Sequence, residues 1–405
     1  MLKRWMQKEL LHKLGYRRGV FLTGARQVGK STLSQLIPLE QSRRYSFDAK
    51  KIREAAEDDP PSFVKHAAGE TLVIDEVQKV PDVLDAIKMV VDRDDTKGQY
   101  LLTGSSNLRF AKTIHDSLAG RLGHVRLRPL SLGEINGKEP TFLRTAFAHA
   151  FKNDYDDLDK RDILQIAFRG GYPEALPLSL SERRAWFQEY LDDLIEKDVR
   201  DVTEVRKSDV LKSAALWLLA HSSQFFAVDE LASKSAISKV TAENYLEALR
   251  ALYLFDRIPA WSKSDYELVG KRPKWVACDT GLIASLLRWN AEEVYLDESR
   301  CGKFVESWAY QQLASLADAE GIYSISHYRD GKKREIDFMI EREDGAVLGV
   351  EVKSGSVSQG DFKHLKWFAA NLAKGPFSGI VLYSGKDVLS FGDGFYAVPL
   401  AALGA

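Results

Sequence analysis

The sequence is poor in cysteine, in net charge and in long apolar segments. Its two cysteines, Cys278 and Cys301, stand in unrelated contexts, so we expect neither a disulfide framework nor a zinc site with cysteine ligands. The net charge of −1 gives no overall basic field, so nucleic-acid binding would need a local patch. No stretch approaches the roughly eighteen apolar residues of a membrane span, and the first residues lack the apolar segment of a signal peptide. We expect a cytoplasmic protein without a membrane segment.

The chain of 405 residues is longer than one hydrophobic core usually holds, so we expect about two to four domains. Short apolar runs predict strands near residues 19–23, 44–48, 71–74, 99–103 and 124–128, with helical segments between them. This alternation predicts an α/β domain with a parallel sheet and helices on both faces. From about residue 140 the pattern predicts helices over 147–155, 159–168 and 180–198, with a breaker at 168–173.

The first predicted strand runs into a glycine-rich loop and then a helix. The loop, Gly24-Ala25-Arg26-Gln27-Val28-Gly29-Lys30-Ser31, fits the pattern G-x-x-x-x-G-K-[ST] of phosphate-binding loops. Its glycines let successive N–H groups turn toward a phosphate, while Lys30 can reach the β- and γ-phosphates and Ser31 can bind Mg²⁺. We therefore predict a nucleoside triphosphate site that comprises Gly24, Ala25, Arg26, Gln27, Val28, Gly29, Lys30, Ser31 and Thr32.

A second strand, Leu72-Val73-Ile74, ends in two carboxylates, Asp75 and Glu76, which is the Walker B pattern. We predict that Asp75 holds Mg²⁺, usually through water, and that Glu76 positions or deprotonates the water that attacks the γ-phosphate. The pattern alone is weak, because apolar strands often end in acidic residues. Its place downstream of Lys30 makes ATP or GTP hydrolysis the expected activity.

Two further catalytic roles have several candidates. A polar residue after the strand that ends at Thr103 can sense the γ-phosphate, and we predict Asn107 or Ser105; a simple polar turn is the alternative. Transition-state charge on the γ-phosphate usually needs an arginine, often from a second copy. Arg121 is the candidate for this finger, and its rivals are Arg109, Arg126 and Arg128.

Residues 206–256 predict a helix-turn-helix unit, with helices from Val228 to Lys234 and from Ser238 to Tyr253 and strand-like segments afterward. The unit resembles a winged helix. DNA affinity depends on a positive surface, but the second helix is roughly neutral because it carries charges of both signs: Lys239, Arg250, Glu243 and Glu247. The sequence leaves two alternative roles for this unit, DNA binding and packing against protein.

The C-terminal part predicts the order helix, three strands, helix, strand. Asp337 lies on one predicted strand, Glu351 and Lys353 point to one side of the next, and Glu306 on the preceding helix can close the site. Carboxylates in this arrangement bind Mg²⁺, and a nearby lysine assists the attacking water. The spacing D-x₁₃-E-x-K and this order resemble the PD-(D/E)xK nuclease family, although a fold does not establish an activity.

Nearly all of the chain resembles a family of bacterial and archaeal AAA+-superfamily ATPases, which join a P-loop domain to a C-terminal region of unknown function. The resemblance rests on Gly24 to Thr32, Leu72 to Gln78, Leu101 to Asn107, Ser117 to Arg121, Phe168 to Pro173, Asp279-Thr280-Gly281-Leu282, and Asp337 with Glu351-Val352-Lys353. It implies binding and hydrolysis of ATP with Mg²⁺, and often a nuclease-like C-terminal domain. It implies no particular substrate.

We predict four regions: a P-loop core (1–138), a helical lid (139–205), a winged-helix-like domain (206–270) and a PD-(D/E)xK nuclease-like α/β domain (271–405). One function consistent with them is an ATPase that acts on DNA through the nuclease-like domain. The alternative is an ATP-dependent switch or scaffold that binds protein partners while its nuclease site is degenerate. A homo-oligomer is expected in either case.

Overall fold

The computed structural model describes residues 2–36, 42–65, 69–104, 118, 120–153, 155–199, 208–262 and 272–405. Three sequence-predicted candidates, Ser105, Asn107 and Arg109, lie outside the described residues. Within the described part of the chain, no helix is both long and apolar enough to cross a bilayer.

The N-terminal region contains the predicted parallel sheet. Its five strands have the spatial order β2-β3-β4-β1-β5, and every described pairing between them is parallel. The strands are β1 (Gly19–Gly24), β2 (Ser42–Ser46), β3 (Thr71–Asp75), β4 (Tyr100–Thr103) and β5 (Leu122–Leu127). Each overlaps a predicted strand, so the parallel α/β prediction is confirmed. The central strands are buried on both faces, which explains their nearly continuous apolar sequences.

Helices cover both faces of this sheet. Val20 and Leu22 share one core with Leu10 of the first helix, whereas Phe21 faces the opposite side and packs with Leu84. This alternation follows from the two-residue period of a strand. The helices of the region are Met6–Tyr16, Lys30–Leu36, Lys50–Asp58, Pro60–Phe63 and Asp82–Val91.

Helices Leu132–Ile135, Phe142–Phe147, Lys160–Arg169 and Leu180–Asp193 follow β5, and the last continues as π-helix over Leu194–Val199. We call Leu180–Asp193 the lid helix. The prediction of a helix over 147–155 was wrong, because the helix ends at Phe147. His149 there takes a left-handed φ of 53°. Phe151 instead packs against the Tyr396 ring, with centroids 5.5 Å apart.

The two predicted helices of the helix-turn-helix unit are present, whereas the resemblance of the unit to a winged helix stays a prediction. Ser208–Ala220, Val228–Lys234 and Lys239–Ala251 precede two antiparallel strands, β6 (Phe255–Ile258) and β7 (Lys274–Ala277). Ser238 caps the third helix, because its side chain accepts a hydrogen bond from the Thr241 backbone N–H at 3.1 Å.

The C-terminal region is a mixed six-stranded sheet with the order β12-β13-β11-β10-β9-β8. A long helix, Glu298–Glu320, precedes it, and helix Lys363–Asn371 connects its third and fourth strands. The predicted order of helix, three strands, helix, strand is therefore present, with two more strands after it. The strands are β8 (Tyr323–Arg329), β9 (Glu335–Arg342), β10 (Val347–Val352), β11 (Phe377–Tyr383), β12 (Leu389–Ser390) and β13 (Phe395–Pro399).

One continuous apolar core links these regions. It includes Leu22 of the parallel sheet, Phe187 of the lid helix, Leu246 of the helix-turn-helix unit and Val350 of the mixed sheet. The long helix lies at its centre: most of its residues are buried, and the Gln312 side chain accepts a hydrogen bond from the Leu132 backbone N–H at 2.7 Å. The predicted regions therefore pack on one another rather than standing apart.

Candidate active site

The predicted phosphate-binding loop lies between β1 and the helix Lys30–Leu36. Gly24 and Gly29 have φ of 147° and 95°, values that glycine adopts readily, and Gln27 also has a positive φ of 60°. A Cβ atom on Gly24 would lie 2.2 Å from the carbonyl oxygen of Leu127, so β5 also requires glycine there. The loop conformation therefore depends on the residues that define the sequence pattern.

Lys30 is 6% exposed and bends back over the loop. Its Nζ donates hydrogen bonds to the carbonyl oxygens of Gly24 at 3.0 Å and Ala25 at 2.7 Å. The ammonium group is thus held at the loop itself, next to the N–H groups that a phosphate would meet.

Arg4 supports the loop from behind, a contact that sequence analysis missed. Its guanidinium donates to the carbonyl oxygens of Val28 at 2.7 Å and Arg128 at 2.6 Å, and it pairs with Glu134 at 3.0 Å. Arg4 and Val28 are 24 residues apart, and no local pattern marks such a contact.

The Walker B carboxylates lie at the end of β3, which is two strands away from β1 in the sheet. At the end of the intervening β4, the Thr103 hydroxyl donates a hydrogen bond to Oδ1 of Asp75. Glu76 has a left-handed φ of 57°, which is unfavourable for glutamate, and its carboxylate accepts a hydrogen bond from Gln78. Thr103 is a polar residue that sequence analysis missed, although it ends a buried apolar strand.

Lys30, Ser31 and Glu76 line one cavity of about 600 Å³, a typical size for a ligand pocket. The phosphate-binding loop and Glu76 contribute to its lining, and the lid helix with the segment before it forms a further wall. The lining residues on that wall are Pro173, Glu174, Trp186, Glu189, Tyr190 and Asp193.

Aromatic residues connect the wall to the loop. The Tyr190 hydroxyl donates to the carbonyl oxygen of Arg26 at 3.4 Å and lies 3.1 Å from the Tyr172 hydroxyl. The Trp186 ring is nearly parallel to that of Tyr190, with centroids 5.3 Å apart. Burial raises the pKa of Tyr172 well above its ordinary value, so this phenol stays neutral.

Gly170 and Gly171, which lie in the predicted helix breaker, join the wall to the C-terminal region. The Gly171 N–H donates to Oδ2 of Asp279 at 2.7 Å, and the same oxygen accepts a hydrogen bond from Gln311 of the long helix at 3.1 Å. Burial raises the pKa of Asp279 to about 6. The wall of the cavity is therefore hydrogen-bonded, through one carboxylate, to the long helix.

None of the described finger candidates, Arg121, Arg126 and Arg128, lines this cavity. Arg121 directly precedes β5 and pairs with Asp92 at 2.9 Å, at the opposite end of the sheet from the loop. Arg126 and Arg128 both bind the buried Asp256 through hydrogen bonds to its carboxylate oxygens. The ion pairs of these two arginines with Asp256 therefore connect the end of β5 to β6.

The C-terminal candidates Glu306, Asp337 and Glu351 are buried near one another. The β9–β10 register pairs Phe338 with Val350, which brings Asp337 opposite Glu351, and Asp337 raises the pKa of Glu351, an effect that adds to that of burial. Lys353 pairs instead with Asp361 at 3.5 Å.

A lysine that sequence analysis did not select lies within this cluster. The fully buried Lys274 of β7 places its Nζ 2.7 Å from Glu306 and 3.6 Å from Asp337. Burial alone would raise the pKa of Asp337, but Lys274 and then Lys303 hold it below its ordinary value. Among the described residues, no group of three histidine, cysteine, aspartate or glutamate side chains has the arrangement of a metal site. Because the Lys274 ammonium group already lies against Glu306 and Asp337, the carboxylates as arranged do not fit Mg²⁺.

Comparison with protein families gives three matches. Residues 16–136 match the profile of an AAA domain. Residues 160–293 and 301–403 match two domains of unknown function, DUF8612 and DUF4143. The N-terminal region is therefore similar to AAA-type P-loop ATPase domains in sequence, and its parallel sheet and loop are of the kind found in P-loop ATPases.

Similarity to individual proteins extends over most of the chain. Uncharacterized protein Rv2008c of Mycobacterium tuberculosis is 26% identical over 342 residues, which cover 83% of this chain and 70% of that protein. Uncharacterized protein MJ1544 of Methanocaldococcus jannaschii is 26% identical over 322 residues, which cover 75% and 67%, respectively.

Two solved structures show partial likeness. The Walker-type ATPase PabY2304 of Pyrococcus abyssi aligns at 14% identity with a TM-score of 0.40 and covers 71% of this chain and 96% of that one. A point variant of RuvB from Thermotoga maritima aligns at 16% identity with a TM-score of 0.29 and covers 63% and 89%.

Proposed function

We propose that this protein binds ATP with Mg²⁺ in the cavity above the phosphate-binding loop and hydrolyses it. The observation that carries the proposal is the convergence of Lys30, Asp75 and Glu76 on one edge of the parallel sheet, next to a cavity of nucleotide size. Ligands bind at this carboxyl edge in open α/β sheets.

Each residue has a distinct role in the proposed reaction. The loop N–H groups and Lys30 bind and orient the phosphates, and Ser31 and Asp75 would hold Mg²⁺, which neutralises charge that develops on the phosphates. The Thr103 hydroxyl donates a hydrogen bond to one carboxylate oxygen of Asp75, and this bond also fixes the direction of the second oxygen. Glu76 orients the attacking water and accepts its proton, and its hydrogen bond from Gln78 sets the carboxylate position.

The proposed output of hydrolysis is a change in the lid helix that reaches the C-terminal region. Tyr190 contacts the loop at Arg26, and Gly171 contacts Asp279, which in turn binds Gln311. A nucleotide that moved the lid helix would therefore act on the long helix through hydrogen bonds already present. This arrangement suits a switch whose C-terminal region binds a partner.

Of the two functions considered from the sequence, we favour the ATP-dependent switch over the nuclease acting on DNA. Lys274 occupies the carboxylate cluster that a nuclease would use for its metal. On the helix Lys239–Ala251, both basic residues are paired with acids, Lys239 with Asp229 at 3.2 Å and Arg250 with Glu247 at 2.7 Å. Paired charges offer little net attraction to a phosphate backbone.

Phosphate release from Mg²⁺-ATP, with and without double- and single-stranded DNA, tests both parts of the proposal. We expect hydrolysis by the wild-type protein, loss of it in Lys30→Ala, and little change in Lys50→Ala, a control at an exposed helix position. Equal activity in the two lysine variants would refute the site. A strong stimulation of hydrolysis by DNA would refute the preference for a switch that does not act on DNA.

A further inference from the structure

The ammonium group of Lys274 lies among three carboxylates in the C-terminal region. Its Nζ is 2.7 Å from Glu306, 3.2 Å from Glu335 and 3.6 Å from Asp337, and its side chain is completely buried. Lys274 comes from β7, the hairpin that follows the helix-turn-helix unit, whereas the acids come from the long helix and β9. A neighbouring structural unit therefore supplies the cation to this cluster.

The ammonium group and a divalent ion would need the same space. A cation such as Mg²⁺ or Mn²⁺ shared by Glu306 and Asp337 would require an oxygen from each within about 2.0–2.4 Å, and Lys274 already lies between these oxygens. A second ammonium group, that of Lys303, binds the other oxygen of Glu306 at 2.7 Å. Both carboxylate oxygens of Glu306 are therefore in ion pairs with lysines.

Lys274 is also held firmly in this position. Its Nζ lies 5.2 Å from the ring centroid of Phe225 and 5.6 Å from that of Phe338, so aromatic faces border the charge. Withdrawing the side chain would leave the buried carboxylates without their central counter-ion, which is strongly unfavourable. Burial alone would lower the pKa of Lys274, but Glu306, Asp337 and Glu335 together hold it above its ordinary value, so the group stays charged.

We propose that Lys274 is a built-in cation that takes the place of a divalent metal and closes the cluster of Glu306, Glu335 and Asp337 to metal ions. The C-terminal region is then stabilised without metal, and its carboxylates cannot support metal-dependent cleavage in this conformation. Replacing Lys274 with a neutral side chain should convert the cluster into a site for a divalent cation. This inference is independent of ATP binding.

Mn²⁺ binding to the full chain tests the proposal, with Mn²⁺ as an EPR-visible probe and no nucleotide present. All proteins carry Lys30→Ala, so that the P-loop site is equally impaired throughout. In this background we expect no Mn²⁺ binding that depends on Asp337, so adding Asp337→Asn should leave the titration unchanged. Binding that Asp337→Asn abolishes would overturn the proposal, and this comparison does not require any Lys274 variant to fold.

The second arm uses Lys274→Met and Lys274→Arg in the same background. In EDTA we expect Lys274→Met to have a lower melting temperature than the protein that keeps Lys274. In saturating Mn²⁺ its melting temperature should rise by about 3 °C or more, because the metal binds only the folded state. Lys274→Arg keeps the charge and should not respond to Mn²⁺. Adding Asp337→Asn to Lys274→Met should remove the response. A folded Lys274→Met protein that gains no Mn²⁺ site would contradict the proposal.

Discussion

The Thr103 hydroxyl donates a hydrogen bond to a carboxylate oxygen of Asp75, which joins the ends of two neighbouring strands in the parallel sheet. Thr103 is completely buried, and β4 places it between the Walker B strand and the phosphate-binding loop. The orientation of the carboxylate that we assign to Mg²⁺ therefore depends on the Thr103 hydroxyl.

Thr103→Val should lower the rate of ATP hydrolysis about tenfold, because valine has nearly the same shape but cannot donate to a charged acceptor. The melting temperature should change little more than in the control Thr71→Val, which removes the hydroxyl that donates to the Gly98 carbonyl at 2.6 Å. Steady-state kinetics and thermal melts of both variants provide the measurement. An unchanged turnover number in Thr103→Val would show that Asp75 needs no such support.

The local motifs of the nucleotide site could be predicted because each lies within a few residues of sequence. The two such motifs are the phosphate-binding loop, Gly24 to Ser31, and the Walker B pair, Asp75 and Glu76. The structure places the two motifs at the same edge of the parallel sheet. Arg4 could not be found in this way, because its loop contact spans 24 residues and depends on how the first helix packs. Thr103 could have been found, since a polar residue ended a predicted buried strand beside the Walker B strand.

The C-terminal cluster shows a different limit of sequence reasoning. Strand periodicity and turn signals predicted that Asp337 and Glu351 would meet. The same reasoning could not place Lys274 among them, because that lysine is 63 residues from Asp337 and belongs to another hairpin. Only tertiary packing brings Lys274 to these acids. Its presence there reverses the expectation that the carboxylates bind Mg²⁺.

Gly171→Ala should destabilise the protein by about 1–3 kcal/mol, because an added Cβ would lie 2.1 Å from the Leu130 carbonyl oxygen and neither group can rotate away. Gly302→Ala is the matched control. It lies within the long helix, where an added Cβ meets nothing within 4 Å, and should stabilise by about 0.5–1 kcal/mol. Thermal melts of the two variants should shift in opposite directions. A Gly171→Ala protein as stable as wild type would contradict the close approach.

Asp279 should make the protein less stable as the pH rises from about 4 to 6. Its pKa in the folded protein is about 6 against an ordinary value of 3.8, so the folded state retains a proton that the unfolded chain has lost. Its stabilising contribution is complete below the lower value and is lost as the pH passes the higher one.

Asp279→Asn lacks this titration, so unfolding free energies measured across that range should reveal it as a difference between the two proteins. Wild type should lose stability relative to Asp279→Asn as the pH increases. A difference that stays constant between about pH 4 and 6 would exclude the raised pKa.

Arg121 can serve as a finger only from a second copy, since about five residues of strand, roughly 16 Å, separate it from the loop of its own chain. We predict that Arg121→Ala loses hydrolysis and that mixing it with the Lys30→Ala protein restores part of the activity. The control Asp92→Asn removes the partner of Arg121 within the chain and should remain active. No recovery on mixing two inactive variants would remove Arg121 from the site.

In the proposed mechanism, Glu76 activates water for hydrolysis of ATP held by the loop. The most direct test is to measure ATP affinity and single-turnover hydrolysis in wild type and in Glu76→Gln, which keeps the shape of the side chain but removes its negative charge. We predict an ATP affinity within about threefold of wild type and a hydrolysis rate lower by about 10²-fold or more. Hydrolysis by Glu76→Gln at the wild-type rate would rule out this role for Glu76.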